Sequence, residues 1–444
     1  MVVDLLQDVL NRAASAHRPM LVSPEGSWTL AELDDEVDAR SGALAGEGVA
    51  AGQVQTLVAE ATAPGVIDLL AHWRLGATVA PLSPRLTDIE LRRARDQLSD
   101  VRSHAQAVLW TSGTSGHPRG VEISYENLVA SAHGSATRML PAPSDVWLAT
   151  LSPAHVGGLA LITRALILGA DLLAWGGFDA AVVSGLIDGL GLPIGYDSPV
   201  THVSLVPTQL LRLLDHRAGS PPPETFRYAL IGGAHAPARL IERAQADGWP
   251  LAVTYGMTEM TSQVATALPE LVRVKPGTVG APIEGVEVRV ADNGEVWVRG
   301  ATRALGYLGQ GAASLADEAG WYHTGDMGRL DEDGDLWITG RHIERIVSGG
   351  VTIDAIEIEE VLRGHPGVYD ACVVGVPDDE WGECVAVLLV PVEGRFDLAA
   401  VKGWAHERLA TAKRPRRWLI RNELPRNTNG KVDRRLVRDL LDGD

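Results

Sequence analysis

A glycine-rich segment with several hydroxyl side chains lies between residues 108 and 124, which read VLWTSGTSGHPRGVEIS. Gly113, Gly116 and Gly120 lack side chains that would keep backbone amides away from an anion. The hydroxyl donors of this loop are Thr111, Ser112, Thr114 and Ser115. Because an apolar strand leads into the loop, the pattern predicts a binding site for a triphosphate. It is not a Walker A loop, since no Lys-Ser or Lys-Thr pair follows the last glycine. The alternative is a flexible Ser/Gly turn.

Three charged residues elsewhere in the chain have the types that such a site needs. Glu259 is a hard oxygen ligand suited to Mg²⁺ beside phosphate oxygens, although it could also be a solvated carboxylate at a helix start. Asp326 follows a turn glycine and could instead cap an Asx turn. Lys431 follows Gly430 and could be one more cation in a basic tail. Their types fit nucleotide chemistry, which depends on alignment and on neutralised charge.

Five segments of the chain, in the same order, resemble motifs of the acyl-adenylate-forming (AMP-binding) superfamily, which includes acyl-CoA synthetases, luciferases and peptide-synthetase adenylation domains. They are TSGTSGHPRG at 111–120, YGMTE at 255–259, YHTGD at 322–326, GRHIERIVSGG at 340–350 and PRNTNGK at 425–431. The family usually has Lys at the position of Arg119, so the charge is kept but a planar guanidinium replaces an ammonium. The resemblance implies an acid–thiol ligase. Such an enzyme uses ATP and Mg²⁺ to form an acyl-adenylate and then passes the acyl group to CoA, releasing AMP.

The resemblance also implies roles for individual residues. Arg119 and the loop amides would hold the β- and γ-phosphates, Glu259 would hold Mg²⁺, and Lys431 would bridge the attacking carboxylate and the α-phosphate. The residues implied in nucleotide binding are Thr111, Ser112, Gly113, Thr114, Ser115, Gly116, Gly232, Gly233, Tyr255, Gly256, Met257, Thr258, Asp326 and Arg341. The segment implied in binding the pantetheine of CoA is Ser348, Gly349 and Gly350. The family's pivot is usually Asp or Lys where this chain has Ile343, which leaves the pivot's position open.

Within the superfamily, the resemblance is greatest to the o-succinylbenzoate–CoA ligases of menaquinone biosynthesis. It rests on the short chain and on THVSLVPTQLLRLL at 201–214, IGGAHAP at 231–237 and YGMTEMTSQVATALPE at 255–270. This acid has an aromatic ring, a ketone and a second carboxylate, so its pocket should combine apolar walls with a few polar groups. The candidates are His155, Ser204, Gln209, Thr261 and Ser262, with His202 a weaker one. Each could equally be an ordinary hydrogen-bonded residue near the pocket.

Two other functions stay open on these residues. One is ligation of another aryl or medium-chain acid to CoA, or transfer to the phosphopantetheine of a carrier protein. The other is a nucleotide-binding homologue without catalytic activity, which the joint presence of Arg119, Glu259, Asp326 and Lys431 disfavours. Exchange of pyrophosphate into ATP, stimulated by an acid, distinguishes an enzyme from such a scaffold.

The elements around these motifs predict a layered α/β domain with an associated β-rich subdomain, followed by a small α+β domain. An amphipathic helix should begin at Thr29. Strands are expected at Ala107–Trp110, Val203–Val206, Arg227–Ile231 and Leu251–Val253, and hairpins at Asn293-Gly294 and Asp333-Gly334. In the last unit we expect a helix around Ile358–Leu362, strands in ACVVGV and CVAVLLVPV, and a helix over Leu398–Leu409. The predicted domains are an AMP-binding domain over 1–340 and a mobile C-terminal domain over 344–444, joined near Arg341–Glu344.

The composition excludes several classes of protein. The 444 residues carry 39 Lys+Arg and 57 Asp+Glu, a net charge of −18, which argues against a partner that is nucleic acid or an anionic membrane. The amino terminus does not read as a signal peptide, and Arg164 and Asp171 interrupt the apolar stretch 157–177, so we expect no membrane span and a cytoplasmic location. Cys372 and Cys384 should be small core residues. The tail from Lys413 to Arg438 is strongly basic and could attract CoA phosphates or be a solvated face balanced by acids; the oligomeric state stays open.

Overall fold

The computed structural model describes residues 2–12, 19–98, 100–111, 119–142, 144–311, 315–341, 346–348, 351–378, 381–426 and 431–442. The chain divides into two compact units. The first comprises 1–236, 240–288 and 298–323, and the second comprises 237–239, 289–297 and 324–444. The domain boundary that the sequence predicts at Arg341–Glu344 stays a prediction.

The described residues form twenty-two strands and thirteen α-helices. The strands are β1 Pro19–Ser23, β2 Gly26–Thr29, β3 Val54–Val58, β4 Thr78–Leu82, β5 Ala107–Thr111, β6 Arg119–Ile123, β7 Val146–Ala149, β8 Asp171–Ala174, β9 His202–Leu205, β10 Tyr228–Ile231, β11 Leu251–Met257, β12 Ser262–Ala267, β13 Val286–Val290, β14 Glu295–Gly300, β15 Gly306–Tyr307, β16 Tyr322–Leu330, β17 Leu336–Arg341, β18 Ile346–Ser348, β19 Val351–Ile353, β20 Val368–Asp378, β21 Gly382–Pro391 and β22 Arg417–Ile420. The helices are α1 Leu5–Arg12, α2 Leu30–Gly46, α3 Ala63–Arg74, α4 Asp88–Leu98, α5 Tyr125–Met139, α6 Val156–Leu168, α7 Ala180–Ile187, α8 Pro207–Arg217, α9 Ala238–Ala246, α10 Pro269–Val274, α11 Ala355–Arg363, α12 Leu398–Arg408 and α13 Arg434–Asp442. None of these helices is both long and apolar enough to cross a membrane.

A mainly parallel sheet of eight strands, in the order β12–β11–β10–β9–β7–β8–β1–β2, forms the centre of the first unit. Only the edge pairs β11–β12 and β1–β2 are antiparallel. Trp147 and Leu148 are neighbours on β7 but belong to different clusters of buried apolar side chains, as expected when successive side chains point to opposite faces. Helices cover these faces, so the predicted layered α/β architecture is confirmed.

The start of α2 follows directly from local sequence. Thr29 is the N-cap of this helix, and its hydroxyl accepts a hydrogen bond from the backbone N–H of Glu32. The Glu32 carboxylate in turn accepts a hydrogen bond from the Thr29 backbone N–H, which completes a capping box. Leu30, Leu33 and Val37 lie on the buried face. The helix predicted to begin at Thr29 is therefore confirmed.

Two smaller sheets follow in the chain. A five-stranded sheet has the order β15–β6–β5–β4–β3 and places Arg119 at the start of β6. A four-stranded sheet has the order β13–β14–β16–β17 and accounts for the predicted β-rich region. Asp326 of β16 lies opposite Arg341 of β17 in this register.

Both predicted hairpins exist, and the second turns at Asp333-Gly334 as predicted. The prediction of a two-residue Asn293-Gly294 turn in the first hairpin was wrong. In the first turn, the N–H of Gly294 donates to the carbonyl of Ala291, so Asp292 and Asn293 are the central residues. Gly294 follows them at a φ of 86°. In the second turn, Gly334 has a φ of 83° and donates in the same way to the carbonyl of Asp331. Each glycine thus occupies the left-handed position after a turn, which a side chain would strain.

The second unit contains a five-stranded sheet with the path β19–β18–β21–β20, in which β22 also pairs with β21. One core cluster packs α11 and α12 against this sheet, and another packs α13 against it. Cys372 and Cys384 are buried free thiols in the α13 cluster. The predicted small α+β domain and the assignment of both cysteines to the core are confirmed.

Candidate active site

The carboxyl ends of three neighbouring parallel strands place several predicted nucleotide-binding residues at one edge of the large sheet. Gly232 and Gly233 follow β10, Tyr255 to Met257 end β11, and Ser204 lies near the end of β9. A Cβ atom on Gly232 would lie 2.7 Å from the Thr254 side chain. A side chain at this position would therefore have to displace Thr254. The carboxyl edge of such a sheet is the usual place for ligand binding.

Glu259 lies next to this edge in a short 3-10 turn, Thr258–Met260, directly after β11. Its side chain is buried, which disfavours the alternative of a solvated carboxylate. The backbone N–H of Ala304 donates to the Glu259 carbonyl at 2.9 Å. The Tyr307 hydroxyl donates to Glu259 Oε1 at 3.3 Å. Contacts from the 304–307 segment therefore hold both the backbone and the carboxylate.

Arg119 lies over the ring of the same tyrosine. Its guanidinium carbon is 3.9 Å from the centroid of the Tyr307 ring. Its Nε atom is buried and has no hydrogen-bond partner among the described residues, a range that excludes the adjacent 112–118. A cation with a buried, unused donor fits a phosphate oxygen, and a buried carboxylate fits a hard divalent cation. The residues present thus fit a magnesium–triphosphate group.

Burial and the nearby Glu259 carboxylate raise the pKa of Tyr307, and the same two causes raise the pKa of Tyr322. The two tyrosine hydroxyls are hydrogen-bonded to each other. Both phenols are therefore neutral at physiological pH and can act as hydrogen-bond donors. Sequence reasoning did not single out Tyr307, because Gly306-Tyr307 carries no charge or spacing signal of its own.

Part of the predicted phosphate loop lies outside the described residues. This applies to Ser112, Gly113, Thr114, Ser115 and Gly116, and also to Gly349, Gly350 and Ile343. Thr111 is described as the last residue of β5, and its hydroxyl donates to the carbonyl of Arg119 at 3.4 Å. The two strands that flank the loop, β5 and β6, are therefore joined at its base.

Thr261 and Ser262, predicted to contact the acid, have an unusual backbone. Their φ angles are 51° and 99°, in the left-handed region that residues other than glycine rarely adopt. The bend brings the Ser262 carbonyl so close to Gly256 that a Cβ atom there would lie 1.9 Å away. Ser131 Oγ donates to the Thr261 carbonyl at 2.7 Å. The Thr261 hydroxyl is buried without a hydrogen-bond partner among the described residues, so it could serve a ligand.

The other predicted acid-binding residues have local structural contacts. His155 is the N-cap residue of α6 and is partly exposed. The Ser204 carbonyl accepts a hydrogen bond from the Thr150 hydroxyl at 2.5 Å. Gln209 Oε1 accepts from the Val206 N–H at 3.0 Å, which caps the start of α8. Their contacts with an acid stay predictions.

His202, the weaker candidate, is the first residue of β9, at the opposite end of the strand from the ligand edge. Its ring is buried and stacks on Trp147 with a centroid distance of 4.6 Å. Burial lowers the pKa of His202 to about 4. These contacts support the alternative reading of an ordinary core residue.

The second unit carries the remaining predicted residues. Asp326 is buried, and its N–H donates to the Thr324 hydroxyl at 3.0 Å. Ser348 is buried and lies opposite Gly382 in the sheet register. Lys431 is exposed, and the bridge between Arg426 and Val432 closes the base of its loop.

Acidic residues of the same unit pair with several cations of the basic tail. Arg434 lies 2.6 Å from the buried carboxylate of Glu359, and Lys413 lies 2.6 Å from Glu357. Further pairs are Arg417–Asp442, Arg426–Asp370 and Arg438–Glu383, at 3.6 to 3.8 Å. These pairs favour a balanced surface over a dedicated anion site for much of the tail.

Comparison with known proteins agrees with this fold and site. The family model of the AMP-binding enzyme matches residues 95–308, and that of the AMP-binding enzyme C-terminal domain matches 357–431. A 2-succinylbenzoate–CoA ligase of Bacillus cereus (strain Q1) is 36% identical over 348 residues, which cover 76% of this chain and 70% of the relative. Another from Geobacillus sp. (strain WCH70) is 32% identical over 94% of this chain and 93% of the relative.

Solved structures give the same result. The o-succinylbenzoate CoA synthetase (MenE) of Bacillus subtilis, in complex with the acyl-adenylate intermediate OSB-AMP, has a TM-score of 0.88 at 26% identity, over 98% of both chains. The ATP-bound MatB of Rhodopseudomonas palustris has a TM-score of 0.88 at 23% identity, over 99% of both chains, a likeness of fold alone. The fold and site are those of a nucleotide-dependent, acyl-adenylate-forming enzyme. The chain belongs to the AMP-binding enzyme family.

Proposed function

We propose that this enzyme is an AMP-forming acid–CoA ligase that converts o-succinylbenzoate, through its acyl-adenylate, to o-succinylbenzoyl-CoA in menaquinone biosynthesis. The names of the relatives support the acid. The ligase at 32% identity spans nearly the whole chain, and a structural neighbour was solved with the acyl-adenylate of this acid. ATP, CoA and the acid are then its small-molecule partners. These cosubstrates favour a cytoplasmic location.

The observation that carries the proposal is the grouping of Arg119, Tyr307 and Glu259. The cation lies over the tyrosine ring, and the carboxylate accepts a hydrogen bond from the tyrosine hydroxyl. Arg119 begins the strand that follows the predicted phosphate loop. Arg119 would bind β- and γ-phosphate oxygens through its guanidinium, and Glu259 would hold Mg²⁺. When bound, the metal offsets the charge of the phosphates. Attack on the α-phosphorus by a carboxylate brings two anions together, so these positive charges lower the barrier.

Both half-reactions need positioned groups and no side-chain nucleophile. In the first, the acid's carboxylate oxygen bonds to the α-phosphorus and pyrophosphate leaves. In the second, the thiol sulfur of CoA bonds to the acyl carbon and AMP leaves. The family resemblance supports Lys431 as the cation for the first step, and Asp326 and Arg341 as ribose and phosphate contacts. It supports the segment 348–350 as the pantetheine contact in the second step, after rotation of a domain over 344–444 about a hinge near 341–344.

The acid would lie against the carboxyl edge of the large sheet. Thr261 offers a buried hydroxyl without a partner among the described residues, and Ser262 follows it on the same bend. His155 begins α6 and is partly exposed, so its imidazole can contact a polar group of the acid. We assign Ser204 and Gln209 to the same pocket, with His202 excluded because it lies at the far end of β9.

The test is a substrate panel of o-succinylbenzoate, substituted benzoates and medium-chain fatty acids, read as release of AMP and formation of the thioester. We expect o-succinylbenzoate to give the highest kcat/KM by at least about tenfold, because unpaired polar groups in the pocket reject acids that lack its second carboxylate. A higher kcat/KM for a benzoate or a fatty acid would refute o-succinylbenzoate as the substrate, but the enzyme would still be an acid–CoA ligase. ATP binding without acid-stimulated pyrophosphate exchange would refute the class of activity.

A further inference from the structure

We propose that Tyr307 is a positioning residue of the ATP site, which fixes Glu259 through its hydroxyl and Arg119 through its ring. The inference rests on the proposed function, since it concerns the same nucleotide site. It adds a residue outside the five recognised motifs. Three sets of contacts carry it: the anchoring of the Tyr307 backbone, the hydrogen bonds of its hydroxyl, and the stacking of Arg119 on its ring.

The backbone of Tyr307 is fixed to the strand that begins with Arg119. Tyr307 lies opposite Val121 in the antiparallel pairing of β15 with β6. On either side of it, the Leu305 N–H donates to the Glu122 carbonyl and the Leu308 N–H donates to the Gly120 carbonyl, both at 2.8 Å. The side chain is also buried. The ring therefore has a fixed place relative to the start of β6.

The hydroxyl of Tyr307 makes two hydrogen bonds whose directions follow from chemistry. Tyr307 donates its one hydrogen to Glu259 Oε1 at 3.3 Å. The bond with Tyr322 must then run the other way, with Tyr322 as donor and Tyr307 Oη as acceptor. A carboxylate held by one oxygen has lost rotational freedom and can present the other oxygen to a cation. This chain of donors thus orients Glu259 before a metal binds.

The guanidinium carbon of Arg119 lies over the ring of Tyr307, 3.9 Å from the ring centroid. A planar guanidinium stacks on an aromatic face in a way that an ammonium does not. The family usually has Lys at this position, so the stack explains how this chain positions the larger cation. One buried phenol therefore aligns the two charges that a magnesium–triphosphate group needs.

The two contacts can be separated by two substitutions. Tyr307→Phe removes the hydroxyl and keeps the ring, whereas Tyr307→Leu removes both. Calorimetry on the full chain uses α,β-methylene-ATP, which cannot transfer its adenylyl group because its α,β-methylene bridge is not cleaved, and so measures binding without turnover. Each variant is titrated with and without Mg²⁺. Tyr228→Phe is the matched control, because it removes a hydroxyl from a partly buried tyrosine on the far end of β10.

For Tyr307→Phe, we expect the Kd of the magnesium complex to rise about tenfold, while the Kd without Mg²⁺ changes by less than about twofold. For Tyr307→Leu, both Kd values should rise, the metal-free one by about three- to tenfold, because Arg119 loses its ring. Tyr228→Phe should match the wild type, and Tyr322→Phe should show a smaller effect than Tyr307→Phe. A variant with a merely loosened fold would lose affinity equally with and without Mg²⁺, so an effect on Kd that depends on Mg²⁺ distinguishes the two explanations.

Two outcomes would overturn the inference alone, and a third would also overturn the proposed function. Unchanged Mg²⁺ dependence in Tyr307→Phe would refute the role toward Glu259. Equal losses of affinity with and without Mg²⁺ in Tyr307→Phe would show that the hydroxyl supports the fold and does not position Glu259 for the metal. A wild-type chain that binds no α,β-methylene-ATP would overturn the proposed function and this inference with it, and so is distinguishable from the first two.

Discussion

His202 offers a sharp test of whether a buried histidine binds substrate or supports the core. Its ring stacks on Trp147, and its Nδ1 lies 2.7 Å from the Thr201 hydroxyl. Desolvation by burial is the largest cause that lowers its pKa. The Asp145 carboxylate opposes this effect but is already paired with Arg227 at 2.8 Å. The imidazole is therefore neutral in the folded chain at pH 7.

The magnitude follows from linkage between protonation and folding. The pKa falls from 6.5 to about 4 on folding, so between these values the unfolded chain binds a proton that the folded chain does not. The contribution of this residue to stability is complete above pH 6.5 and is lost as the pH falls toward 4. At about 1.4 kcal/mol per pKa unit, the loss amounts to about 3 kcal/mol.

The perturbation is His202→Gln, which cannot be protonated. Urea unfolding of both chains, measured between pH 7.5 and pH 4.5, gives the free energy of unfolding, and the difference between the chains cancels the groups that they share. We expect the variant to be less stable at pH 7.5 and to lose about 2–3 kcal/mol less than the wild type over this interval. The KM for the acid should stay within about twofold, since such a residue contributes no binding contact. If the free energies of unfolding of the wild type and the variant fell in parallel with pH, and the KM for the acid rose strongly in the variant, the assignment of His202 to the core would be refuted.

Three substitutions and one labelling experiment test other parts of the chain. Lys431→Ala should lower adenylation by several hundredfold, by the loss of a charge-stabilising donor, while thioester formation from supplied acyl-adenylate persists; equal losses in both steps would contradict the assigned role. A bulky residue in place of Gly349 should slow thioester formation more than pyrophosphate exchange, and the reverse order would remove the pantetheine assignment. Glu359→Gln should destabilise folding by about 3 kcal/mol in urea, because it removes a buried carboxylate that pairs with Arg434 and Arg363. The control Glu357→Gln removes an exposed carboxylate and should cost under about 1 kcal/mol; similar losses for the two variants would show that burial of the carboxylate does not set the cost. Burial raises the pKa of the Cys372 thiol to about 12, so at pH 8 only about 1 in 10,000 of these thiols is ionised, and iodoacetamide should label it readily only after unfolding.

Local sequence was sufficient where local forces decide the structure. Thr29 begins a helix because its hydroxyl and the Glu32 carboxylate satisfy each other's backbone amides, and both residues lie within one turn. The hairpin at Gly294 was predictable for the same reason. Its turn type was not, because Asn293-Gly294 fits a two-residue turn as well as the end of a longer one. Only the pairing of the flanking strands selects between them.

The site was predictable only as far as its ordered motifs reach. Glu259 and Arg119 carry charges in recognisable segments, so their roles could be inferred from order alone. Tyr307 lies 48 residues from Glu259 in sequence, and its contacts with Glu259 and Arg119 form only in the folded chain. No periodicity or composition in one segment reports such a contact. The ion pair between Glu359 and Arg434 escaped prediction for the same reason.

The left-handed bend at Thr261 and Ser262 links the thermostability of this enzyme to its activity. Glycine at Ser262 would relieve a backbone conformation that costs about 1–3 kcal/mol, and a thermostability screen that scores only survival on heating would reward it. The same exchange would let the bend sample other conformations, and would loosen the segment that we propose contacts the acid. Selection for heat resistance at Ser262 should therefore yield variants with higher thermostability and lower kcat.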